Sequence, residues 1–502
     1  MNVYDIILLA SAAPPLAALI FRKLLKPWIY VYSAAWAIYG LFHIFFQNAR
    51  AAAIPAYAFM VLTILVLAFN LNKKKLCRFL SVFISIPAVI VMLLGIGVML
   101  IFPIAKIPAL SGPYSVGKAA YLYTDRSRSE LMTARENDLR EIPITIYYPA
   151  ENVPGGGETL TSVPYRYYLY SKSFPYFMAD YLDELEGKAL EVAPVLAGKY
   201  PLLVYTHDAP GFSLENSLLL EELASRGMIV LSVGHPNDSA AEIAPDGRVI
   251  PYNKKRYSAL NGEDQKKLDF AVRLVFGGRF ASQNKPPYSK EIYEKSLEAI
   301  RGSELLLDKY LASSYISPQG REITWEADYS ASEHVRDIIY VLENIEELEG
   351  KTPGILEAMD ADNRFILGKG IGAVTASDEK FKNVFKRTAA IRGSFSQAAL
   401  SSPAKVPLLY ICDQNDTGQN DMILDKNPAP AYKAVFPSMP FLEFNDFDIF
   451  LPTYRALGKS MKDYLKLHEE LADLLANFFL GGNGGEILSP STAATIYQIE
   501  AY

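Results

Sequence analysis

A short apolar run breaks into a glycine-rich turn in the last third of the chain, and this turn restricts the folds that the chain can adopt. The run covers residues 364–367, the turn carries Gly368, Gly370 and Gly372, and a helix-like pattern follows as far as Thr375. Glycine reaches positive φ without the penalty that a Cβ atom brings. Alternate glycines after a strand-like run therefore predict a sharp strand–turn–helix unit.

The same spacing is found in the nucleophile elbow of α/β hydrolases, G-x-S-x-G, where the flanking glycines remove clashes and the serine stands above the sheet. Gly368 and Gly372 match the flanking glycines, and Gly370, between Lys369 and Ile371, occupies the serine position. The sequence predicts an elbow that has lost its nucleophile. The alternative, a phosphate-binding turn, expects the turn after the first strand of its domain, but several strand-like runs precede this one.

Composition limits the class of protein. The 502 residues carry a formal net charge of -6 and are 50% hydrophobic, which allows one membrane region and one large globular domain and gives no indication of nucleic-acid binding. Cys77 and Cys412 lie in different regions, so a disulfide framework is not expected. No cofactor is expected either.

Apolar stretches fill the first hundred or so residues, at 6–21, 27–46, 51–71 and 79–105. A helix needs about 20 apolar residues to cross the hydrocarbon core of a bilayer, and the last three stretches reach that length. The first is short, but its positive charges follow it, unlike those of a signal peptide. Residues 1–105 are therefore predicted to form a four-helix transmembrane region.

Basic residues predict how this region is oriented. They cluster after the first stretch and after the third, as Arg22, Lys23 and Lys26 and as Lys73, Lys74, Lys75 and Arg78. By the positive-inside rule both clusters are cytoplasmic, so the protein is predicted to be a multi-pass cell-membrane protein whose C-terminal domain is extracytoplasmic. His43, inside the second stretch, is a functional candidate by its position, although packing among its aromatic neighbours is the simpler interpretation.

After residue 105 the sequence alternates strand-like and helix-like segments. The strand-like runs are 142–148, 201–206, 229–233, 365–367, 406–412 and 440–444, and the helical patterns are 217–225, 292–311, 335–348 and 454–480. Such alternation predicts a mostly parallel sheet with helices on both faces. The predicted domain is 106–482, followed by a flexible tail, 483–502.

Several separated blocks resemble one family, the bacterial membrane-tethered relatives of platelet-activating factor acetylhydrolase, which are serine esterases with the α/β-hydrolase fold. The blocks are 112–117 with 125–128, 144–149, 201–211 around His207, and 223–227 leading to 233–240. The resemblance covers about 112–480. It implies an α/β-hydrolase fold, a catalytic triad and an oxyanion loop at His207, Asp208 and Ala209.

The chain departs from the family at all three catalytic positions. The serine position is Gly370, the acid position is Arg392, or Gly393 if the register slips by one, and the histidine position is Phe441. Serine hydrolysis needs a nucleophile, a base within hydrogen-bond reach and a carboxylate that orients the base. These residues supply none of the three, and Asp208 places negative charge where an oxyanion would be stabilised.

Other side chains are candidates for the missing catalytic roles. The hydroxyls of Thr375, Ser377, Ser394 and Ser396 lie near the elbow or the acid position, but no histidine occurs between His334 and His468 to accompany them. His207, Asp208, His235 and Asp238 follow strand-like runs but match no metal-binding motif, so no metal site is expected. His334 and His468 are predicted to be surface residues.

Three hypotheses follow. The first is a catalytically inactive esterase-like domain that binds a lipid-like or anionic amphiphilic ligand, or a protein partner, in a pocket bounded by Ala209, Gly370, Ile371, Arg392 and Phe441. In a variant of it, Arg392 and Phe441 fill that pocket and Arg392 pairs with Asp208 or Asp446. The second is an active lipid or carboxylic ester hydrolase with an unrecognised nucleophile. The third is a scaffold within a membrane transport or assembly complex, with a membrane-protein partner.

Overall fold

The structure is a computed structural model. It describes residues 7–8, 10–12, 14–15, 27–46, 53–71, 86, 90, 93, 107–130, 138–152, 164–166, 168, 181–182, 185, 187–209, 211–251, 324–393, 395–396, 399, 402–416, 418, 420–437, 444–450, 461–481, 488 and 497–502. The predicted helix at 292–311, the positions 440–443 of the last predicted strand, and Phe441 with them, lie outside these residues.

The central feature is a 10-stranded sheet, accompanied by a 2-stranded ribbon of β6 and β7. The strands are β1 Ser115–Ser129, β2 Leu139–Ala150, β3 Leu190–Glu191, β4 Tyr200–Thr206, β5 Ile229–Val233, β6 Ala241–Ile243, β7 Val249–Pro251, β8 Met359–Lys369, β9 Arg387–Ile391, β10 Leu408–Asp413, β11 Ala431–Phe436 and β12 Gln498–Ala501. From edge to edge the order is β12-β11-β10-β9-β8-β4-β5-β2-β1-β3.

The strands from β11 to β5 in that order all run parallel to one another, while β2 and β12 pair antiparallel with the two outer members of this group. The elbow strand β8 lies between β4 and β9, near the middle of the sheet. In a sheet of this type, ligands bind outside the carboxyl ends of the parallel strands. We call this side of the sheet the site edge.

Helices cover both faces of the sheet. In chain order the helices of the described residues are α1 Pro27–Phe46, α2 Ile54–Leu71, α3 Ser217–Ser225, α4 Thr324–Glu343, α5 Ile355–Ala358, α6 Ile371–Ala376, α7 Asp421–Lys426, α8 Phe447–Phe450 and α9 Met461–Leu480. Because successive strand residues point to opposite faces, Leu203 packs in the core that α3 and α9 share, whereas Leu202 packs in the core under α4. The predicted sheet with helices on both faces is confirmed.

Two N-terminal helices coincide with predicted apolar stretches. The bounds of α1 match the second stretch, and those of α2 fall within the third. His43 of α1 is buried, and its Nδ1 lies 2.7 Å from the hydroxyl oxygen of Tyr57 on α2. Among the residues that the structure describes, no helix is long and apolar enough to cross a membrane, so the structure does not support the predicted four-helix transmembrane region.

The last residues of the predicted tail form a strand. Residues 483–502 are predicted to be flexible, but β12 pairs with β11 through four residues, Gln498–Ala501. Tyr497, which is 7% exposed, belongs to the core shared with α3 and α9. The glycine, serine and threonine content of the tail concealed this strand, since an edge strand of four residues leaves little periodic signal.

The pairing of β12 makes a prediction about stability. The ring centroid of Tyr497 lies 5.0 Å from that of Phe436. Replacing Tyr497 by alanine removes this buried ring and is expected to lower the free energy of unfolding by about 2–4 kcal/mol. Exposed Gln498→Ala is the matched control and is expected to stay within about 0.5 kcal/mol of wild type. Equal unfolding curves for Tyr497→Ala and Gln498→Ala would show that β12 does not stabilise the sheet.

Candidate functional site

The glycine-rich turn forms a strained strand–turn–helix unit at the site edge. Strand β8 ends at Lys369, helix α6 begins at Ile371, and Gly370 between them has φ 58° and ψ -115°. A Cβ atom at Gly368 would overlap the carbonyl of Gly372, and one at Gly372 would overlap the carbonyl of Thr206. Both flanking glycines are therefore required by close backbone packing, as in a nucleophile elbow.

The neighbouring strand ends bring the other predicted positions to the elbow. The N–H of Gly370 donates to the carbonyl of Ile391 at 3.1 Å, and the N–H of Arg392 donates to the carbonyl of Ile411 at 2.8 Å. A Cβ atom at Gly393 would overlap the backbone of Gly370. Gly370 and Arg392 therefore lie side by side at the carboxyl ends of β8 and β9.

The carboxylate of Asp208 lies directly over the elbow. Its Oδ1 accepts hydrogen bonds from the N–H of Ile371 and from its own neighbour, the N–H of Ala209, each at 2.9 Å. In an α/β hydrolase the oxyanion hole consists of the N–H that follows the nucleophile and an N–H from the loop after an adjacent strand. Oδ1 of Asp208 therefore stands where the oxyanion of a tetrahedral intermediate would lie.

Asp208 also fills the space of a nucleophile. A Cβ atom built on Gly370 would overlap all three atoms of the Asp208 carboxyl group. A serine at position 370 and the Asp208 carboxylate cannot both occupy this space. The acidic side chain was expected to oppose an oxyanion by its charge, and the structure adds that it excludes the reacting atoms by its volume.

Buried groups hold the loop that carries Asp208. The backbone N–H of Asp208 donates to Oε1 of Glu215 at 3.2 Å, and the ring Nδ1 of His207 lies 2.5 Å from the carbonyl oxygen of Asp208. Glu215 is fully buried and pairs with Lys369 of the elbow, with 3.2 Å between Oε2 and Nζ. This buried ion pair connects the oxyanion loop to the elbow.

Beneath this loop lie three buried histidines. The rings of His235 and His334 stack with centroids 3.6 Å apart, and the centroid of His207 is 4.9 Å from that of His235. Burial, followed by the proximity of His334, lowers the pKa of His235 well below 6.5, so His235 is neutral. Among the residues described, no group of three or more His, Cys, Asp or Glu side chains is arranged to hold a metal ion.

Two histidines predicted at the surface are buried instead. His334 is 0% exposed and its Nε2 lies 3.2 Å from Asp238, while His468 is 8% exposed and faces Asp448 at 3.4 Å. His334 precedes Val335 and is four residues before Ile338, both of which are core residues. This helical spacing was the signal that could have placed His334 on the buried face.

An acidic residue at the end of β10 was missed. Arg392 donates from Nη2 to Oδ2 of Asp413 at 2.9 Å, and its guanidinium carbon lies 5.9 Å from the centroid of the Phe444 ring. Asp208 and Asp446 were the expected partners of Arg392. The signal for Asp413 is its position directly after the last apolar residues of a parallel strand, where side chains reach the site edge.

The predicted histidine position cannot be described, but the run beside it can. Phe444 is buried with φ 53°, and Asp446 accepts hydrogen bonds on Oδ2 from the hydroxyl of Tyr165 at 2.8 Å and from the N–H of Leu218 at 3.3 Å. Oδ1 of Asp446 is buried without a hydrogen-bond partner. Burial raises the pKa of this carboxyl well above its usual value.

Hydroxyl groups considered as replacement nucleophiles have structural contacts. Ser377 donates to the carbonyl of Ala373 at 2.9 Å, and Thr375 donates to that of Ile371 at 3.3 Å, both within or at the end of α6. Ser396 is buried at 9% exposure, and Ser394 lies outside the described residues. The hydroxyls of Ser377 and Thr375 therefore donate to backbone carbonyls of α6.

One serine–histidine pair escaped the sequence reasoning. Oγ of Ser239 lies 3.0 Å from Nε2 of His207 and 2.6 Å from Oε1 of Glu242. The N–H of His235 already donates to the same Nε2 at 3.1 Å, and both Ser239 and His207 are 0% exposed. A substrate has no access to this serine, so the pair supports the loop and does not form a nucleophile.

An aromatic cluster closes the region between the oxyanion loop and the segment after position 444. Its members are Tyr165, Tyr168, Tyr181, Phe212, Phe447 and Phe450. Tyr168 stacks on Phe447 with ring centroids 4.8 Å apart, and the centroid of Tyr165 lies 4.8 Å from that of Phe212. The cluster is buried, and in it Phe212 of the oxyanion loop contacts Phe447 of α8, with ring centroids 6.2 Å apart.

The chain is similar to a known protein family and to solved structures. Residues 99–245 match the family model of platelet-activating factor acetylhydrolase, isoform II. Among solved structures, 122 chains match, including a ferulic acid esterase from Streptomyces cinnamoneus at 15% identity and a TM-score of 0.50, over 79% of this chain and 99% of that one. No curated protein matches the sequence.

The structural likeness shows the fold, and the family match covers the oxyanion loop but ends before the elbow. Together they show an α/β-hydrolase fold and, over residues 99–245, confirm the predicted resemblance to platelet-activating factor acetylhydrolase, while the membrane tethering and the loss of the triad stay predictions. The departures at Gly370 and Arg392 lie outside the matched segment.

The overlap between position 370 and Asp208 predicts a coupled effect on stability. Gly370→Ser is expected to destabilise the fold, because the new side chain displaces the Asp208 carboxylate and positive φ disfavours it. In an Asp208→Gly background the loss should be smaller by about 1–3 kcal/mol. Chemical denaturation of the two single variants and the double variant measures this difference.

The control for this cycle is Gly350→Ser, since a Cβ atom at Gly350 meets nothing within 4 Å. It should show no coupling to Asp208→Gly. The steric account is wrong if Gly370→Ser destabilises both backgrounds equally.

The buried carboxyl of Asp446 predicts a dependence of stability on pH. An aspartate carboxyl in the unfolded chain has a pKa of about 3.9, and burial raises the pKa of Asp446 in the folded protein. Above about pH 4 the folded state therefore binds more protons than the unfolded state, and the free energy of unfolding falls as the pH rises. Asp446→Asn removes this loss.

The free energy of unfolding of Asp446→Asn minus that of wild type is expected to be larger at pH 7 than at pH 4. Chemical denaturation of both proteins at the two pH values measures this difference. Asn retains an oxygen for the hydroxyl of Tyr165 and the N–H of Leu218. Exposed Asp362→Asn serves as the control. An unchanged difference between pH 4 and pH 7 would show that Asp446 titrates normally in the folded protein.

Proposed function

We propose that this chain is a membrane-anchored, outward-facing esterase-like protein that no longer hydrolyses esters and acts by binding. The observation that carries the proposal is the position of the Asp208 carboxylate, which accepts from the N–H groups of Ile371 and Ala209 and fills the space above Gly370. An acyl substrate needs both of these places during hydrolysis, one for its oxyanion and one for the nucleophile.

Among the residues that the structure describes, the remaining catalytic roles also lack suitable groups. Arg392 stands at the predicted acid position and pairs with Asp413. A guanidinium carries only donors and cannot accept the hydrogen bond from the ring N–H of a catalytic histidine. His334 and His468 are engaged with Asp238 and Asp448 inside the fold, so neither flanks the elbow as a base. These contacts support an inactive site over an active hydrolase with an unrecognised nucleophile.

The chemistry of the site edge favours an uncharged or apolar ligand. There Glu215 pairs with Lys369 and Asp413 pairs with Arg392, while the Asp208 carboxylate accepts from the N–H of Ile371. An anionic head group would have to displace Asp413 to reach Arg392, and would do so beside Asp208. We therefore propose a lipid-like molecule with a neutral contact surface, or a protein partner, in preference to the anionic amphiphile.

Membrane anchoring rests on the sequence. The apolar stretches 27–46, 51–71 and 79–105 are each long enough to cross a bilayer, and the clusters of lysine and arginine between stretches orient them by the positive-inside rule. In this proposal residues 1–105 hold the hydrolase-like domain on the outer side of the cell membrane. A scaffold role in a larger membrane complex would use the same anchoring.

The inactive site predicts the outcome of an activity test. Purified protein should not hydrolyse p-nitrophenyl acetate above the buffer rate, and a serine-directed fluorophosphonate probe should not label it. Gly370→Ser should remain inactive alone and with Asp208→Gly, because the double variant restores a hydroxyl and frees the oxyanion donors but supplies no base. Labelling of the wild-type chain, with the modified residue identified by mass spectrometry, would establish an active hydrolase instead.

Anchoring and orientation predict a protease result. A protease added to intact spheroplasts should remove the part of the chain after residue 105, because that part is outside. A cytoplasmic marker protein serves as the control for intact membranes. Degradation that requires permeabilised membranes would reverse the proposed orientation, and recovery of the chain in an alkaline carbonate supernatant would contradict the anchoring itself.

A further inference from the structure

The segment that joins the N-terminal region to the sheet lies along helix α3. The N–H of Ser111 donates to both carboxylate oxygens of Glu222, at 3.2 and 3.1 Å, and Arg226 donates from Nη2 to Oγ of Ser111 at 2.8 Å. The N–H of Gly112 donates to Oγ of Ser225 at 3.2 Å. We call residues 107–114 the linker.

Close packing fixes the far end of the linker. The N–H of Tyr114 donates to the carbonyl of Ser225 at 3.0 Å, and a Cβ atom at Gly112 would overlap that same carbonyl. Strand β1 begins directly afterwards, at Ser115, which pairs with Ala150 at the end of β2. Because β2 runs antiparallel to β5, this end of the linker lies at the edge of the sheet opposite the site edge.

The near end of the linker lies at the site edge. Ile107 packs against the aromatic cluster, as does Leu218 in the first turn of α3. The N–H of Leu218 contacts Asp446, and the N-cap residue Asn216 donates to the carbonyl of Phe444 at 2.9 Å. The linker therefore starts beside the candidate site and runs down α3 to the opposite edge.

The apolar stretch 79–105 ends two residues before Ile107. Two residues span at most about 7 Å of extended chain. A stretch that ends at a bilayer surface would therefore place Ile107, and the aromatic cluster on which it packs, next to that surface. The chain between residue 105 and Ile107 is too short to let the domain turn its opposite edge toward the bilayer.

We propose that the site edge of the sheet faces the membrane, and that the surface it meets is the phospholipid head-group layer. The inference rests on the proposed membrane anchoring and adds the direction in which the domain is held. The ligand of the site is then a molecule resident in the bilayer, since the carboxyl ends of β4 and β8 open toward the lipid and the opposite edge faces the aqueous phase.

Helix α9 provides a matched pair of reporter positions. Its first turns lie at the site edge, where Leu465 packs against the aromatic cluster. Its end lies at the opposite edge, where Arg387, the first residue of β9, donates from Nη2 to the carbonyl of Gly481 at 2.7 Å. Lys462 and Leu480 are exposed, and at 1.5 Å of rise per residue they are about 27 Å apart along the helix.

The experiment uses the full chain in phosphatidylcholine nanodiscs. Lys462→Cys and Leu480→Cys are labelled with bimane in a Cys77→Ser background, in which the other cysteine, Cys412, is buried. A fraction of the lipid carries a nitroxide on its head group. Quenching at position 462 is expected to exceed quenching at position 480 by at least twofold.

Equal quenching, stronger quenching at position 480, or no quenching at either position in chain that stays in the nanodisc would overturn the proposed orientation. The anchoring is tested separately by alkaline carbonate extraction of the unlabelled chain from membranes. Extraction would overturn both proposals, whereas retention combined with reversed quenching would overturn only the orientation.

Discussion

The hydrogen bonds from Ile371 and Ala209 to the Asp208 carboxylate are the contacts on which the site depends. The elbow and the oxyanion loop belong to the adjacent strands β8 and β4, and in an active hydrolase their N–H groups remain available for a reacting carbonyl. In this chain Asp208 accepts from both donors. The protein thus retains the architecture of a hydrolase site and uses it to hold one of its own side chains.

The position of Asp208 is in turn supported by a buried polar network. His235 lies between Thr206 and Asp337, at 3.0 and 3.1 Å, and Asp337 receives two hydrogen bonds from Arg140 on β2. The positive charge of Arg140, together with the hydrogen bond from His235, lowers the pKa of Asp337 despite the cost of its burial. A buried charge of this kind is strongly destabilising when its partner is removed, so the network fixes the end of β4 from which the oxyanion loop departs.

The general fold could be predicted because buried parallel strands and helices leave periodic patterns; β5 and α3 have the predicted bounds. The flanking glycines of the elbow, Gly368 and Gly372, could be found because close backbone packing leaves no room for a Cβ atom at either position. The partner of Arg392 and the burial of His334 could not be found, since both depend on contacts between residues far apart in the chain. The occupation of the oxyanion hole by Asp208 depends on a side-chain orientation, which spacing does not encode.

Amide hydrogen exchange at the elbow measures whether Asp208 holds the oxyanion donors. In the wild-type chain the N–H of Ile371 should exchange slowly, because it is bonded to a carboxylate in a largely buried site. In Asp208→Ala the peptide that contains Ile371 should lose the protection of that amide, while peptides from α9 stay unchanged. Equal exchange of the Ile371 amide in wild type and Asp208→Ala would contradict the account.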